Sequence, residues 1–241
     1  SFNTFLIEND RQLIKEYLKS IGYYFSKVET VVEDLDNNLV NITHKIDLGN
    51  KAKIKKISFI GNKVFKEGKL KSLIVSEEYK FWKFISGKKY LNEEIILIDN
   101  RLLKNFYLNN GYYNVQINSS FAKLIDDKNF ELIFNIDANE KIFFNNLKLI
   151  TPSDFDLTNF KYINELFENL KGKHYSINRI EKVLKKINEI TVNEQFVSTK
   201  ANVEESLIGN KLDLSFVISE TEKIFVEKIN ILGNNVTNEE V

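Results

Sequence analysis

The chain has 241 residues, 43% of them apolar and 28% charged, a composition that suits two or three folded domains and excludes disorder by composition. Its 34 Lys and Arg balance 34 Asp and Glu, so the basic surplus of a dedicated polyanion binder is missing and no nucleic-acid partner is expected. Cysteine is absent, which removes disulfides, thiol catalysis and cysteine-held metals.

The first 51 residues predict the end of a helix, through Asp10, Leu13 and Tyr17, closed by Gly22-Tyr23 and followed by a strand with Ile42, His44 and Ile46. Lys53 to Asn62 then predicts a strand: Ile57-Ser58-Phe59 alternates as a half-buried strand does, and Gly61-Asn62 turns the chain. A first helix is expected over Glu67 to Val75, with Leu70, Leu73 and Ile74 on one side, and a loop through Trp82, Ser86 and Gly87 follows. The second helix opens on Asn92 as cap, with Glu93 and Glu94 in the first turn. Its apolar positions are read as Ile95, Ile98, Leu102 and Phe106, with Gly111 at the left-handed position past its end. Val115 to Leu124 predicts a strand, Asp126 to Asn129 a turn, and Phe130 to Ile136 the return strand with Leu132, Phe134 and Ile136 inward.

A strand from Lys141 to Ile150 starts the pattern again, and a helix near Ser176 to Ile190 carries Ile180, Val183, Leu184 and Ile187. Here Thr151-Pro152 replaces the turn Gly-Asn and no Gly-Tyr follows the helix, so the same fold with altered helix termination is expected. Lys223 to Asn234 begins a further strand.

The chain is therefore an internal repeat. Ile57, Leu147 and Ile229 align at offsets of 90 and 82, and so do Ile42, Leu132 and Leu214. Asp10, Leu13, Tyr17, Gly22 and Tyr23 match Asp99, Leu102, Phe106, Gly111 and Tyr112 at a constant 89. The unit is strand, two helices, then a strand hairpin. Its copies are residues 1–51 (the end of one), 52–140, 141–222, and 223–241 (the first strand of another). Asp137 to Glu140 passes straight from one copy to the next, and so short a connection restricts the angle between neighbours.

The order β-α-α-β-β, the start Ile57-Ser58-Phe59-Ile60-Gly61-Asn62, the motif Asp99…Leu102…Tyr107-Leu108-x-x-Gly111-Tyr112 and the closing Asn135-Ile136 resemble polypeptide-transport-associated (POTRA) modules. Trp82 to Tyr90 looks like the long inter-helix loop of that family's third module. The resemblance implies an α+β array in which each three-stranded mixed sheet is covered by two helices. It further implies a scaffold on the periplasmic face of the bacterial outer membrane, attached to a C-terminal membrane barrel that this sequence does not include. Such a scaffold takes unfolded outer-membrane β-barrel precursors and accessory assembly lipoproteins as partners. Two other readings stay open: a related secretion or translocation factor, and a cell-surface adhesin or structural spacer of repeated α+β modules.

A sheet covered on one face has two edges of unpaired N–H and C=O groups, where an extended chain can add by β-augmentation. By the resemblance, the exposed edge is the strand after the second helix: Val115, Gln116, Ile117, Asn118, Ser119, Ser120 and Phe121. It holds small polar and apolar residues with no Pro, and no charge before Lys123.

Sharper chemistries fare less well. Lys51 to Lys89 holds twelve Lys against three Glu, with Tyr79, Trp82 and Phe84 interleaved; this reads as a solvated face before it reads as a contact with acidic surfaces or lipid headgroups. Gly87-Lys88-Lys89-Tyr90 lacks the Gly-x-x-Gly clamp of KH domains, and neither Gly87-Lys88 nor Gly172-Lys173 completes a phosphate loop. His44 and His174, the only histidines, lie in different copies, and His44 fills the slot of Phe134 and Phe216, which makes it a structural histidine before a ligand. The pairs Glu93-Glu94, Asp126-Asp127 and Glu204-Glu205 sit at a helix start or in turns without a convergent pocket. No catalytic residue, metal site or cofactor is expected. Tyr23-Tyr24 and Tyr112-Tyr113 read as packing at the corner between helix and strand. No apolar run nears the roughly 18 residues of a spanning helix, and no signal peptide opens the chain.

Overall fold

The computed structural model of the chain describes residues 4–36, 39–80, 87–126, 128–153, 155–193 and 199–220. The expected strand at 223–241, the core of the loop at Trp82 and Asp127 of the hairpin turn lie outside them. The chain forms two compact units, one of the described residues up to Ile142 with His174–Ile177, the other of the remaining described residues.

In the first unit, helix α1 (Thr4–Ser20) leads into an antiparallel hairpin of β1 (Lys27–Leu35) and β2 (Leu39–Asp47). Next come β3 (Lys53–Asn62), the short α2 (Glu67–Lys71), a 3₁₀ turn at Gly87–Lys89, α3 (Glu93–Asn109), β4 (Gln116–Leu124) and β5 (Asn129–Asp137). The sheet order is β3-β5-β4: β5 is central, parallel to β3 and antiparallel to β4. The second unit repeats this with β6 (Phe143–Ile150), a 3₁₀ turn at Leu157–Phe160, α4 (Lys161–Leu170), α5 (Ile177–Asn193), β7 (Thr199–Ile208) and β8 (Lys211–Glu220), in the order β6-β8-β7.

The repeat aligned by sequence is also the pairing register. Ile57 lies opposite Leu132 and Leu147 opposite Leu214, so residues at equivalent steps of the repeat are register partners in both sheets. Their inward faces form the two cores, Leu132, Phe134 and Ile136 in one and Leu214, Phe216 and Ile218 in the other, all buried. Phe59 stacks on Phe134 at 5.4 Å between centroids, and Phe167 on Phe216 at 5.2 Å. Among the described residues the first copy shows one helix and two strands, and the equivalent Ile42 and Ile46 are 41% and 47% exposed.

Three details depart from the sequence reading. Glu204-Glu205, expected in a turn, lie inside β7 opposite Ser215 and Leu214. The first helix stops at Lys71 rather than Val75, because Asp99 Oδ1 takes the backbone N–H groups of Val75 (2.5 Å) and Ser76 (3.3 Å) that a longer helix would use internally. The second helix is rotated from the face expected. Asn92 caps it as read, its side chain accepting from Ile95 N at 3.0 Å. Its buried stripe, however, is Asp99, Leu103 and Tyr107, while Ile98 and Leu102 are 36% and 37% exposed. A buried carboxylate inside the stripe hid the true helical period from a purely apolar count. Among the described residues no helix is long and apolar enough to cross a membrane.

Candidate interaction edge

The two margins of the sheet β3-β5-β4 are treated differently. The β3 margin is occupied by the chain that leads into α3. Tyr79 N donates to Ile54 O at 2.6 Å, Leu91 N to Ala52 O at 2.9 Å, and Lys53 bridges to Tyr90. Glu78 closes the middle of that margin, since one carboxylate oxygen accepts from Ile57 N at 3.0 Å and from Lys71 Nζ at 2.7 Å. Partial burial works to raise the Glu78 carboxyl, but these two donors outweigh it and hold the group below its ordinary value. Among the described residues these contacts occupy Ala52 O, Ile54 O and Ile57 N, at the start and middle of β3.

The β4 margin has no such cover among the described residues. Its backbone bonds run to β5, with Ile117 opposite Ile136 and then Ser119 opposite Asn135, so Asn118 is a bulge with no register partner. The bulge resets the alternation. Ile117 and Ala122 pack on the helix-side core, and Ser120, three residues after Ile117, faces inward too, its hydroxyl accepting from Asn100 Nδ2 at 2.7 Å. Phe121, opposite Ile133, then lies on the sheet's other face. Of the residues expected at this edge, Gln116 to Phe121 lie on β4, whereas Val115 precedes it, buried in the core.

Beside the start of β4 runs an open groove of about 440 Å3, lined by Asn100, Arg101 and Lys104 of α3 and by Val115 to Asn118. Asn100 Oδ1 is buried there without a partner. Strict alternation cannot register the bulge, and nothing local in the sequence announces Glu78 as an edge cap. The small hydroxyl of Ser120 at an inward position was the available sign that a polar helix residue faces it.

The lysine-rich stretch is largely engaged within its own unit. Lys56 pairs with Glu131 at 2.8 Å, Lys63 with Glu67 at 3.0 Å and Lys71 with Glu78 at 2.7 Å. Lys51 lies over the rings of Tyr23 and Tyr90, and Lys53 over Tyr79, at 4.4 to 5.7 Å. The tyrosine pairs pack at corners: Tyr24 meets Phe130, and Tyr112 meets Phe65 and Tyr107. His44 is half-buried across the hairpin from Thr30, whose Oγ1 lies 2.9 Å from its Nδ1. Among the described residues no group of three or more metal-ligating side chains converges.

The seam between the hairpin copy and the next is a backbone splice. Ala52 N donates to Gly22 O at 2.8 Å while Ala52 O accepts from Leu91 N at 2.9 Å. The same pair of bonds recurs in the next copy, still within the first unit: Ile142 N to Gly111 O and Tyr175 N to Ile142 O, each 2.8 Å. The Gly-Tyr motif of the repeat thus supplies a carbonyl acceptor just past a helix end.

The sequence model of the family described as "POTRA: Surface antigen variable number repeat" matches residues 1–49 and 52–139. A protein of Buchnera aphidicola named outer membrane protein assembly factor BamA is 27% identical, covering all of this chain and 39% of that protein. The BamA of Neisseria meningitidis serogroup B is also 27% identical, over 95% of this chain and 29% of its own length. The chain thus spans about two-fifths or less of these relatives. Among solved structures, that of Haemophilus influenzae BamA POTRA3-5 superposes with a TM-score of 0.52 at 17% identity, covering 89% of this chain and 80% of that one, a likeness of fold.

Proposed function

The chain belongs to the POTRA family, and from that membership we propose that it is a periplasmic scaffold segment of an outer-membrane β-barrel assembly factor. It receives unfolded outer-membrane proteins, and accessory assembly lipoproteins, partly by adding their strands to β4. Its modules divide at residues 1–51, 52–140, 141–222 and 223–241. Similarity along the whole chain to proteins named as assembly factors supports the setting. The observation that carries the mechanism is the asymmetry of the sheet, whose β3 margin is filled by Glu78 and Tyr79 while β4 keeps its outer backbone bare among the described residues.

A backbone edge reads extended conformation rather than a side-chain motif, which suits a client class defined by strands. Each added bond contributes about 1 kcal/mol net, so four or five bonds less the ordering of the guest leave at most about 4 kcal/mol, a dissociation constant of about 1 mM or weaker. Binding of that strength lets the guest go. The test is in-cell photocrosslinking from Ser119 in the full-length protein, compared with Ile117→Pro. A proline there removes a backbone N–H and stiffens the strand, so crosslinks to outer-membrane precursors should fall sharply. Undiminished crosslinking in a folded Ile117→Pro protein rejects the mechanism.

A further inference from the structure

The two ends of β4 differ: two cations of α3 flank its start, whereas at its far end Lys123 stands opposite Glu131, a carboxylate that also pairs with Lys56 at 2.8 Å. Arg101 and Lys104, three residues apart on α3, line the groove beside Val115 to Asn118 at the start of the strand. Both are exposed, and neither has a carboxylate partner among the described residues. No acidic residue stands three or four positions from either on the helix, where a partner would have to be. Asp137 is the carboxylate nearest in register, opposite Gln116, and its Oδ1 already accepts from Asn139 N at 3.1 Å. The bulge at Asn118 interrupts the ladder here, so regular pairing along the margin runs over Ser119 to Leu124 and stops as it reaches the groove.

Resting on the augmentation reading, we propose that the guest strand lies antiparallel to β4 and carries a carboxylate, terminal or side-chain, at its C-terminal end, held between Arg101 and Lys104. An antiparallel guest brings its C-terminal end to the start of β4, into the field of two unpaired cations. A parallel guest would bring its N-terminal end there, and a free ammonium is repelled. The two cations thus select an orientation that backbone pairing alone leaves open, and they favour strands that end in, or near, a negative charge.

The test uses the 241-residue chain, whose lack of cysteine lets one spin label be placed on Lys123→Cys and another, in a separate sample, on Gln116→Cys. The probe is an eight-residue alternating Val/Thr peptide, prepared with a free C-terminal carboxylate or a C-terminal amide. Amide-exchange protection along Ser119 to Leu124 reports augmentation by either form. The acid form should bind about fivefold more tightly than the amide at low salt, the factor of one exposed charge pair. That preference should vanish in 0.5 M salt and in the doubly substituted Arg101→Gln, Lys104→Gln. The peptide's C-terminal protons should be broadened from position 116 and its N-terminal protons from position 123. Equal affinity of acid and amide, or broadening in the reverse order, overturns the direction while leaving augmentation standing. Absence of protection on β4 with either peptide overturns both.

Discussion

The splice at Gly22 gives a prediction whose size follows from the coordinates. Gly22 lies just past α1 with φ +99°, and a Cβ built there would stand 2.9 Å from the backbone oxygen of Leu91. Leu91 cannot easily retreat, because its own N–H is bonded to Ala52 O, and Ala52 N to Gly22 O. Gly22→Ala therefore combines left-handed strain of about 1–2 kcal/mol with disturbance of two backbone bonds worth about 1 kcal/mol each, about 3–4 kcal/mol if both are lost. Gly172→Ala is the comparator. Gly172 also follows a helix, has φ +75°, and a Cβ there meets nothing within 4 Å, so strain alone, about 1–2 kcal/mol, remains. Native-state amide exchange, read residue by residue, separates the two, with Gly22→Ala also loosening the protection of β1 and β2. If the two variants lose the same stability within about 0.5 kcal/mol, the backbone contact at Leu91 carries no weight and the splice is not what holds the seam.

Three further outcomes follow from polar groups that are buried or partly buried. Tyr107 is fully buried and its hydroxyl donates to Lys63 O at 2.5 Å, with burial pushing the phenol up to about 12; Tyr107→Phe keeps the ring contacts but orphans that carbonyl, and urea unfolding should show a loss of about 1–3 kcal/mol. Burial raises the Asp99 carboxyl above its ordinary value, although the Ser76 side chain and the N–H groups of Val75 and Ser76 oppose it. A raised acid holds its proton more tightly when folded, so its contribution is present below about pH 4 and lost as pH rises through the raised value. The stability difference between the protein and Asp99→Asn should therefore be larger at pH 3.5 than at pH 7, and a difference independent of pH refutes the assignment. Glu78→Ala uncovers Ile57 N–H on the β3 margin, and light scattering should detect concentration-dependent association that the unaltered protein lacks.

The repeat and the inward face of β5 were legible because β-sheet burial has a period of two, and Leu132, Phe134 and Ile136 obey it without interruption. Helix α3 was legible in extent and cap but not in rotation. Its buried face includes Asp99, and a carboxylate that bonds two distant N–H groups looks like a surface residue until the chain has folded. The same contact cut α2 short. At the candidate edge, the strand's span was readable, but the bulge at Asn118 was not, because a bulge is a mismatch between two strands and neither strand contains it alone. Nor did Glu78 stand out, since its partners Ile57 and Lys71 meet it only through the loop that folds back across β3.

The closed β3 margin bears on how such a sheet avoids pairing with its own copies. A three-stranded sheet with both margins bare could polymerise edge to edge, so leaving one open requires that the other be sealed. Here the seal is a charged cap and a returning loop, while the open margin is kept short by the bulge and carries Lys123 near its far end, paired in register with Glu131. A short margin gives few backbone bonds, and few bonds give millimolar binding to any extended chain. Discrimination among guests then cannot come from the ladder, which is the same for all of them. It has to come from what flanks the ladder, and at the start of this margin, among the described residues, Arg101 and Lys104 stand without a carboxylate partner.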